Sequence, residues 1–432
     1  MHDYPLGVRG EGVYLYDSEG KEYLDGSGGA AVSCLGHSHP DVVAAIREQA
    51  GQLAFAHTAF FTNEPQETLA GKLAERFPET GARVYFLSGG SEATETALKL
   101  ARQYWMARGQ DSRRIFISRN QSYHGNTLGA LALSGSPGRK AIYQGILADW
   151  PKIDPCFPYR GQQPGESEAE YAERCAQSLE QAIVAAGPEN IAAFVAETVS
   201  GATLGAAVAA GGYFRRIREI CDRYDVLLIL DEVMAGSGRT GTFFAFEQEG
   251  ILPDITTIAK GLGGGYQAIG AAICREHVYQ QIVDSYGTFS HGHTYVGHAL
   301  ACAAAVAVQK VLDEQDLLAN VLLRGEQLQA ALNAEFAAHP YVGDVRGRGL
   351  FIGIELVRDK AAKEGPAAEL KLPAWLHDRA MQEGLVCYPG GGTVDGRNGA
   401  HILLAPPFIY TEQHVQQLVD KLAAVLGDLR FD

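Results

Sequence analysis

Residues 226–232 read VLLILDE, five apolar residues in succession running straight into two acids. A run that short, with no alternation of apolar and polar positions, is a strand buried on both faces. Such strands belong to parallel sheets covered by helices on either side. The neighbouring sequence repeats the pattern: RVYFLS (83–88), RIFISR (114–119), IAAFVAE (191–197), DITTIAK (254–260) and AIGAAIC (268–274) read as strands. Helical stretches lie between them. SEATETALKLARQYWMARG follows the first strand. Residues 213–224 put Phe214, Ile217, Ile220, Cys221 and Tyr224 on one face, with Arg215, Arg216, Arg218, Glu219 and Asp222 largely opposite. Strands alternating with helices in this way predict an α/β fold built on a mostly parallel sheet.

The two ends read differently. GEGVYLYDSEGKEYLDGSGG alternates around a DSEG turn, which predicts a β-hairpin. In PDVVAAIREQAGQL (40–53), Val42, Ala45, Ile46 and Leu53 share one side of a helix. Residues 160–175 are acidic and poor in apolar residues, and read as an insert. Past residue 310 a single long helix, LDEQDLLANVLLRGEQLQAALNAEF, leads to GLFIGIEL and HILLAPPF. Helices with a short antiparallel sheet predict a smaller α+β domain that also takes in the N-terminal segment. The expected division is 1–55 and 311–432 for the small domain and 56–310 for the large one.

Composition narrows the possible partners. The 432 residues carry a formal charge of −15, which excludes nucleic acid and anionic membrane surfaces as main partners, because both require clustered Lys and Arg. No apolar stretch approaches a membrane span, and MHDYPLGVRG lacks the apolar core of a signal peptide. The seven cysteines (34, 156, 175, 221, 274, 302 and 387) are scattered and never spaced as CxxC. That pattern suits free thiols in a reducing cytoplasm. NQS at 120–122 matches a glycosylation sequon by chance.

The chemistry gathers where strands end. An ionised Asp231 at the end of a buried strand is costly unless a cation meets it, and ligands bind at the carboxyl ends of strands in open α/β folds. In LSGGSEATETALKLAR (87–102), Gly89 and Gly90 let the backbone approach a ligand. Ser91 and Glu92 open a helix whose unpaired N–H groups suit a phosphate, although a tight turn with an ordinary cap reads the same way. Lys260 ends a hydrophobic strand, where burial depresses an amine's pKa and favours Schiff-base chemistry. A phosphate cradle, a reactive amine and a carboxylate for a pyridinium nitrogen are together the parts that pyridoxal 5'-phosphate (PLP) needs. On that reading, the protonated ring nitrogen is the cation that Asp231 awaits.

The stretch LLILDEVMAGSGRTGTFFAFEQEGILPDITTIAKGLGGGYQAIGA (227–271) resembles the signature of class III aminotransferases. These are fold-type I PLP enzymes that include the ω-amino acid and amine:pyruvate transaminases. The likeness runs from the N-terminal hairpin to LLAPPF. It implies a large domain with a mostly parallel, seven-stranded type of sheet and a small domain from both termini. It also implies a cytoplasmic homodimer, or a tetramer, with shared active sites. Lys260 matches the Schiff-base lysine that later shuttles a proton, and Asp231 the partner of the pyridine nitrogen. Val233 is expected to pack beneath the ring and Tyr123 to stack on it, with His124 following in SYHGNT. Gly89, Gly90 and Ser91 match the phosphate-binding backbone. Glu197 lies near the cofactor's 3' oxygen, and Thr198 stands where the family usually has proline. Thr294 matches a threonine that reaches the partner subunit's phosphate.

The resemblance also bears on substrates, an amino donor and an α-keto acid acceptor. Relatives acting on ornithine, acetylornithine or GABA carry an Arg just before the PP element, where this chain has Leu403, so those substrates are disfavoured. DGRNGAHILLAPPF is similar to amine:pyruvate transaminases, in which a mobile arginine, here Arg397, clamps a carboxylate. The ordinary alternative is a solvated loop arginine. Phe60 and Phe61 match the stretch that forms a small side pocket, and His293 stands where several relatives have Phe. Transamination to pyruvate is the expected reaction. A decarboxylating dialkylglycine-type enzyme, an aminomutase and an amino acid epimerase use the same Lys and Asp chemistry and stay open beside it. GLGGG (261–265) follows Lys260 instead of opening an early βαβ unit, which sets a nicotinamide site aside. His291, His293 and His298 lack an acid or Cys to complete a metal site. Glu232 and the three tryptophans, Trp105, Trp150 and Trp375, are read as structural.

Overall fold

The structure is a computed structural model and describes residues 4–431, so residues 1–3 and 432 at the ends of the expected domains lie outside it. Seven strands form the central sheet. Their spatial order is Arg83–Leu87, Gly270–Cys274, Ile255–Ile258, Leu227–Asp231, Ile191–Glu197, Ile115–Arg119 and Lys152–Ile153. Gly270–Cys274 runs antiparallel to both of its neighbours, and the other pairings are parallel. The expected α/β class with a mostly parallel sheet is what forms.

Every residue of Leu227–Asp231 is buried, as its uninterrupted apolar run requires. Helix Tyr213–Arg223 covers the sheet with Tyr213, Phe214, Ile217, Ile220 and Cys221, all buried. Burying each of its larger apolar side chains contributes roughly 1.5–3 kcal/mol. The register has a chemical consequence: Asp231 pairs with Glu197 on one side and Thr257 on the other. Residues paired across a sheet point to the same face, so two carboxylates stand side by side at the carboxyl ends of adjacent strands.

A second apolar core joins the two ends of the chain. Leu24, Leu35 and Val42 pack in one cluster with Leu328, Ile354 and Leu422. Strands Gly7–Glu11, Tyr14–Asp17 and Glu22–Asp25 form a sheet completed by Leu385–Val386, and Val342–Arg348, Phe351–Leu356, Ala400–Leu404 and Tyr388–Gly391 form an antiparallel one. Helix Ala299–Glu314 serves both cores: Ala301, Cys302 and Ala305 face the first, Ala304, Ala307 and Val308 the second.

Several local expectations change. The insert expected at 160–175 contains the start of helix Glu168–Ala186, which buries Tyr171, Ala172, Ala176, Leu179 and Ile183. Its acids sit on the solvent side and hide that spacing. The single helix expected at 312–336 is two, Ala299–Glu314 and Leu317–Phe336, broken where Asp316 turns left-handed with φ 48°. The helix carrying Val42 ends at Gln52, which leaves Leu53 outside it and exposed. Trp105 is fully buried, whereas Trp375 is 36% exposed and packs only in part. Lys260 does not end a strand. The strand stops at Ile258, and Lys260 opens a short 3-10 turn with φ 46°.

Candidate active site

A cavity of about 480 Å³ opens at the carboxyl ends of the central strands. Gly89, Gly90 and Ser91 are among its lining residues, together with Tyr123, His124, Glu197, Asp231, Val233 and Lys260. Stretches from Val32 to Ile269 therefore converge at the sheet's carboxyl edge.

Asp231 is 5% exposed and firmly held. His124 Nδ1 lies 2.8 Å from Oδ2, and the Val233 N–H donates to Oδ1 at 3.0 Å. A carboxylate only accepts, so His124 carries its proton on Nδ1. His124 Nε2 is buried without a hydrogen-bond partner. The Ser134 hydroxyl accepts from the His124 N–H, and the Thr94 hydroxyl donates to its carbonyl, which locks the ring in place.

Glu197 receives the N–H groups of Tyr123 (3.1 Å) and Gly201 (2.8 Å), one on each oxygen. Burial raises its pKa; the nearby His124 opposes that shift and the charge of Asp231 adds to it. The buried guanidinium of Arg119 donates to the Glu197 carbonyl and orients the strand end. Lys260 Nζ donates to the Ala30 carbonyl at 2.8 Å. Burial pulls the amine's pKa down to about 8, against the pull of Asp231 and Glu197, while Arg139 pushes it further down.

The glycine turn is shaped for close approach. Gly89 is extended, and a Cβ there would meet nothing within 4 Å. A Cβ on Gly90 would come within 2.8 Å of Val233, which packs hard against the turn. The first N–H groups of helix Gly90–Ala107 have no intrahelical acceptors and present partial positive charge. Gly125, at φ 138°, brings its backbone against Ser91, whose hydroxyl accepts from the Asn126 N–H at 3.0 Å.

The remaining predicted residues stand apart from the cavity in the single chain. Phe60 is 80% exposed, and Thr294 is exposed as well. His293 pairs with Glu92 at 3.2 Å. The Arg397 side chain is 73% exposed and pairs with Glu369. Leu403 is buried in an apolar cluster with Phe351. The three histidines face different partners: His291 meets Thr96, His293 meets Glu92, and His298 caps helix Ala299–Glu314. Sequence reasoning missed the Ala30 carbonyl and Arg139, both delivered by short helical turns, Gly28–Ala31 and Pro137–Lys140. The only local sign of the first was the run of small residues GSGGAA.

The sequence profile of the class III aminotransferases matches residues 4–426. An uncharacterized aminotransferase of Schizosaccharomyces pombe is 45% identical over 426 residues, 98% of this chain and 93% of that protein. The hypotaurine/taurine–pyruvate aminotransferase of Paracoccus denitrificans is 35% identical over 420 residues, 96% and 90% of the two chains. Among solved structures, the ω-transaminase of Pseudomonas jessenii in complex with PMP superimposes with a TM-score of 0.91 at 35% identity, covering 98% of this chain and 92% of that one. The chain belongs to the class III aminotransferases: it is a fold-type I enzyme that uses PLP with an amino donor and a keto acid acceptor. The cavity suits that cofactor. A helix N-terminus and open glycine turn match a phosphate, a held carboxylate matches a ring nitrogen, and a buried amine of lowered pKa matches an aldehyde.

Proposed function

We propose that this enzyme transfers an amino group from an amine or ω-amino acid to pyruvate, with Lys260 as the reactive amine. The observation that carries the reading is the convergence of Lys260, Asp231 and Glu197 in one cavity beside the free N–H groups of helix Gly90–Ala107. PLP, when bound, supplies a sink for the negative charge left at the substrate carbon as its proton leaves.

The residues divide the work. Asp231, oriented by His124, would hold the ring nitrogen and favour its protonated form. Tyr123 and Val233, which both line the cavity, would confine the ring. Gly89, Gly90 and Ser91 would bind the phosphate through backbone N–H groups, and Glu197 would serve the 3' oxygen. Lys260 would hold the cofactor's aldehyde and, as a free amine, would take up and return the substrate's proton. Its lowered pKa supports that role, because the neutral amine is well populated near pH 8.

Phe60 and Thr294 act in the site of a second subunit. Phe60, Phe61, Ile142 and Ile146 are large apolar side chains left 65–88% exposed, which supports a homodimer. Arg397 is the clamp for the acceptor's carboxylate. Its turn has glycines at φ 83–90° (392, 396 and 399) that let it swing inward from Glu369.

A spectral titration tests the function. The bound-cofactor band is followed as donors are added one at a time without keto acid, and then pyruvate is added. Bleaching by a primary amine or ω-amino acid, with recovery on pyruvate, is the expected result. A band that α-amino acids shift without any amino transfer would replace transamination by epimerisation or decarboxylation.

A further inference from the structure

Arg139 is a cation at the rim of the cavity with no acid to balance it. Its guanidinium carbon lies 4.6 Å from the centroid of the Tyr123 ring, and Tyr123 lines the cavity. Among the described residues it makes no hydrogen bond or ion pair. In a chain with fifteen excess negative charges, an arginine left unpaired beside a reaction cavity needs a reason. The helical turn Pro137–Lys140 that carries it also abuts the turn bearing Arg397, since a Cβ on Gly396 would lie 2.9 Å from Pro137 Cδ.

Neither of the two other positions expected to govern carboxylate binding lines the cavity in this structure. Leu403 is apolar and buried, and Arg397 is engaged with Glu369. Arg139 holds only a ring contact, which is weak at an exposed position and is readily exchanged for a bidentate carboxylate pair. Its positive field is already felt at Lys260, so the guanidinium lies within reach of a substrate that reacts there. It reaches the cavity through the Tyr123 ring, beside the space a donor chain would occupy.

We propose that Arg139 recognises the terminal carboxylate of an ω-amino acid donor and sets the enzyme's preference for such donors over the matching alkylamines. Arg139 then serves the donor and Arg397 the acceptor, and Leu403 no longer argues against donors with a distal carboxylate. The proposal rests on the transaminase reading of the cavity.

The test uses PLP-loaded wild type, Arg139→Gln and Arg139→Lys. The rate of bleaching of the cofactor band is measured against the concentration of β-alanine, 4-aminobutyrate or 6-aminohexanoate, each beside the alkylamine that lacks its carboxylate. Arg139→Gln is expected to raise the half-saturating concentration of the best ω-amino acid by about tenfold or more and that of the matching alkylamine far less, since any change at Lys260 is common to both donors. Arg139→Lys is expected to recover part of the loss. The retained alkylamine reaction serves as the control for folding. Equal shifts for both donors, no shift, or a wild type that saturates no lower with any ω-amino acid would overturn the proposal alone. A wild type that reacts with no amine would overturn the transaminase reading and this proposal with it.

Discussion

Asp231 and Glu197 stand in register on adjacent strands, both buried, and their mutual repulsion has to be met by positive charge. Lys260 supplies part of it, yet burial keeps its amine near a pKa of about 8 instead of the usual value above 10. The sign is definite. A buried lysine with a lowered pKa loses its proton earlier as pH rises, and only the neutral amine attacks a carbonyl. Uptake of PLP by the apoenzyme, followed by absorbance, is therefore expected to accelerate as pH rises through about 8 and then level off. A rate that keeps climbing toward the pKa of an exposed lysine would contradict the environment described for Lys260. The sequence put Asp231 and Lys260 at strand ends; Asp231 does end its strand, Lys260 lies two residues past Ile258, and both line the cavity. Arg139 and Ala30 were not legible in it. The path of the chain brings Ala30 across 230 residues to Lys260, and no local pattern encodes such a path.

At the scale of elements, sequence reading succeeded where one physical signal dominated. The helix 213–223 and the strands of the central sheet carry a clean apolar pattern, and the structure keeps it. Helix Glu168–Ala186 carries an equally good pattern, but its acid-rich first turns read as an insert. Ser167 starts it with a capping box: the Ser167 side chain accepts from the Glu170 N–H, and the Glu170 side chain accepts from the Ser167 N–H. Ser167→Ala is expected to lower stability by about 0.5–2 kcal/mol in denaturant unfolding, without changing activity, since the cap lies outside the cavity. The break at Asp316 was unreadable for a different reason. A left-handed residue inside a continuous helical pattern leaves no signature unless it is a glycine or follows a proline.

At the scale of the whole molecule, the two apolar cores meet along helix Ala299–Glu314, and the cavity opens at the carboxyl edge of the larger sheet. Sequence periodicity located the sheet. It could not show that Leu385–Val386 would pair with the strand Glu22–Asp25, because a two-residue strand carries too little pattern to announce its partner. Phe60, Thr294 and Arg397 lie outside the single-chain cavity, whereas every residue predicted for the cofactor from strand ends and the glycine turn lies within it. The central claim is that this one cavity holds PLP through Lys260. Borohydride reduction of the PLP-loaded enzyme, followed by peptide mass spectrometry, tests it most directly. The account predicts a pyridoxyl group on the peptide containing Lys260 and none in Lys260→Ala. A pyridoxyl group on a different lysine, or none in the wild type, would contradict it.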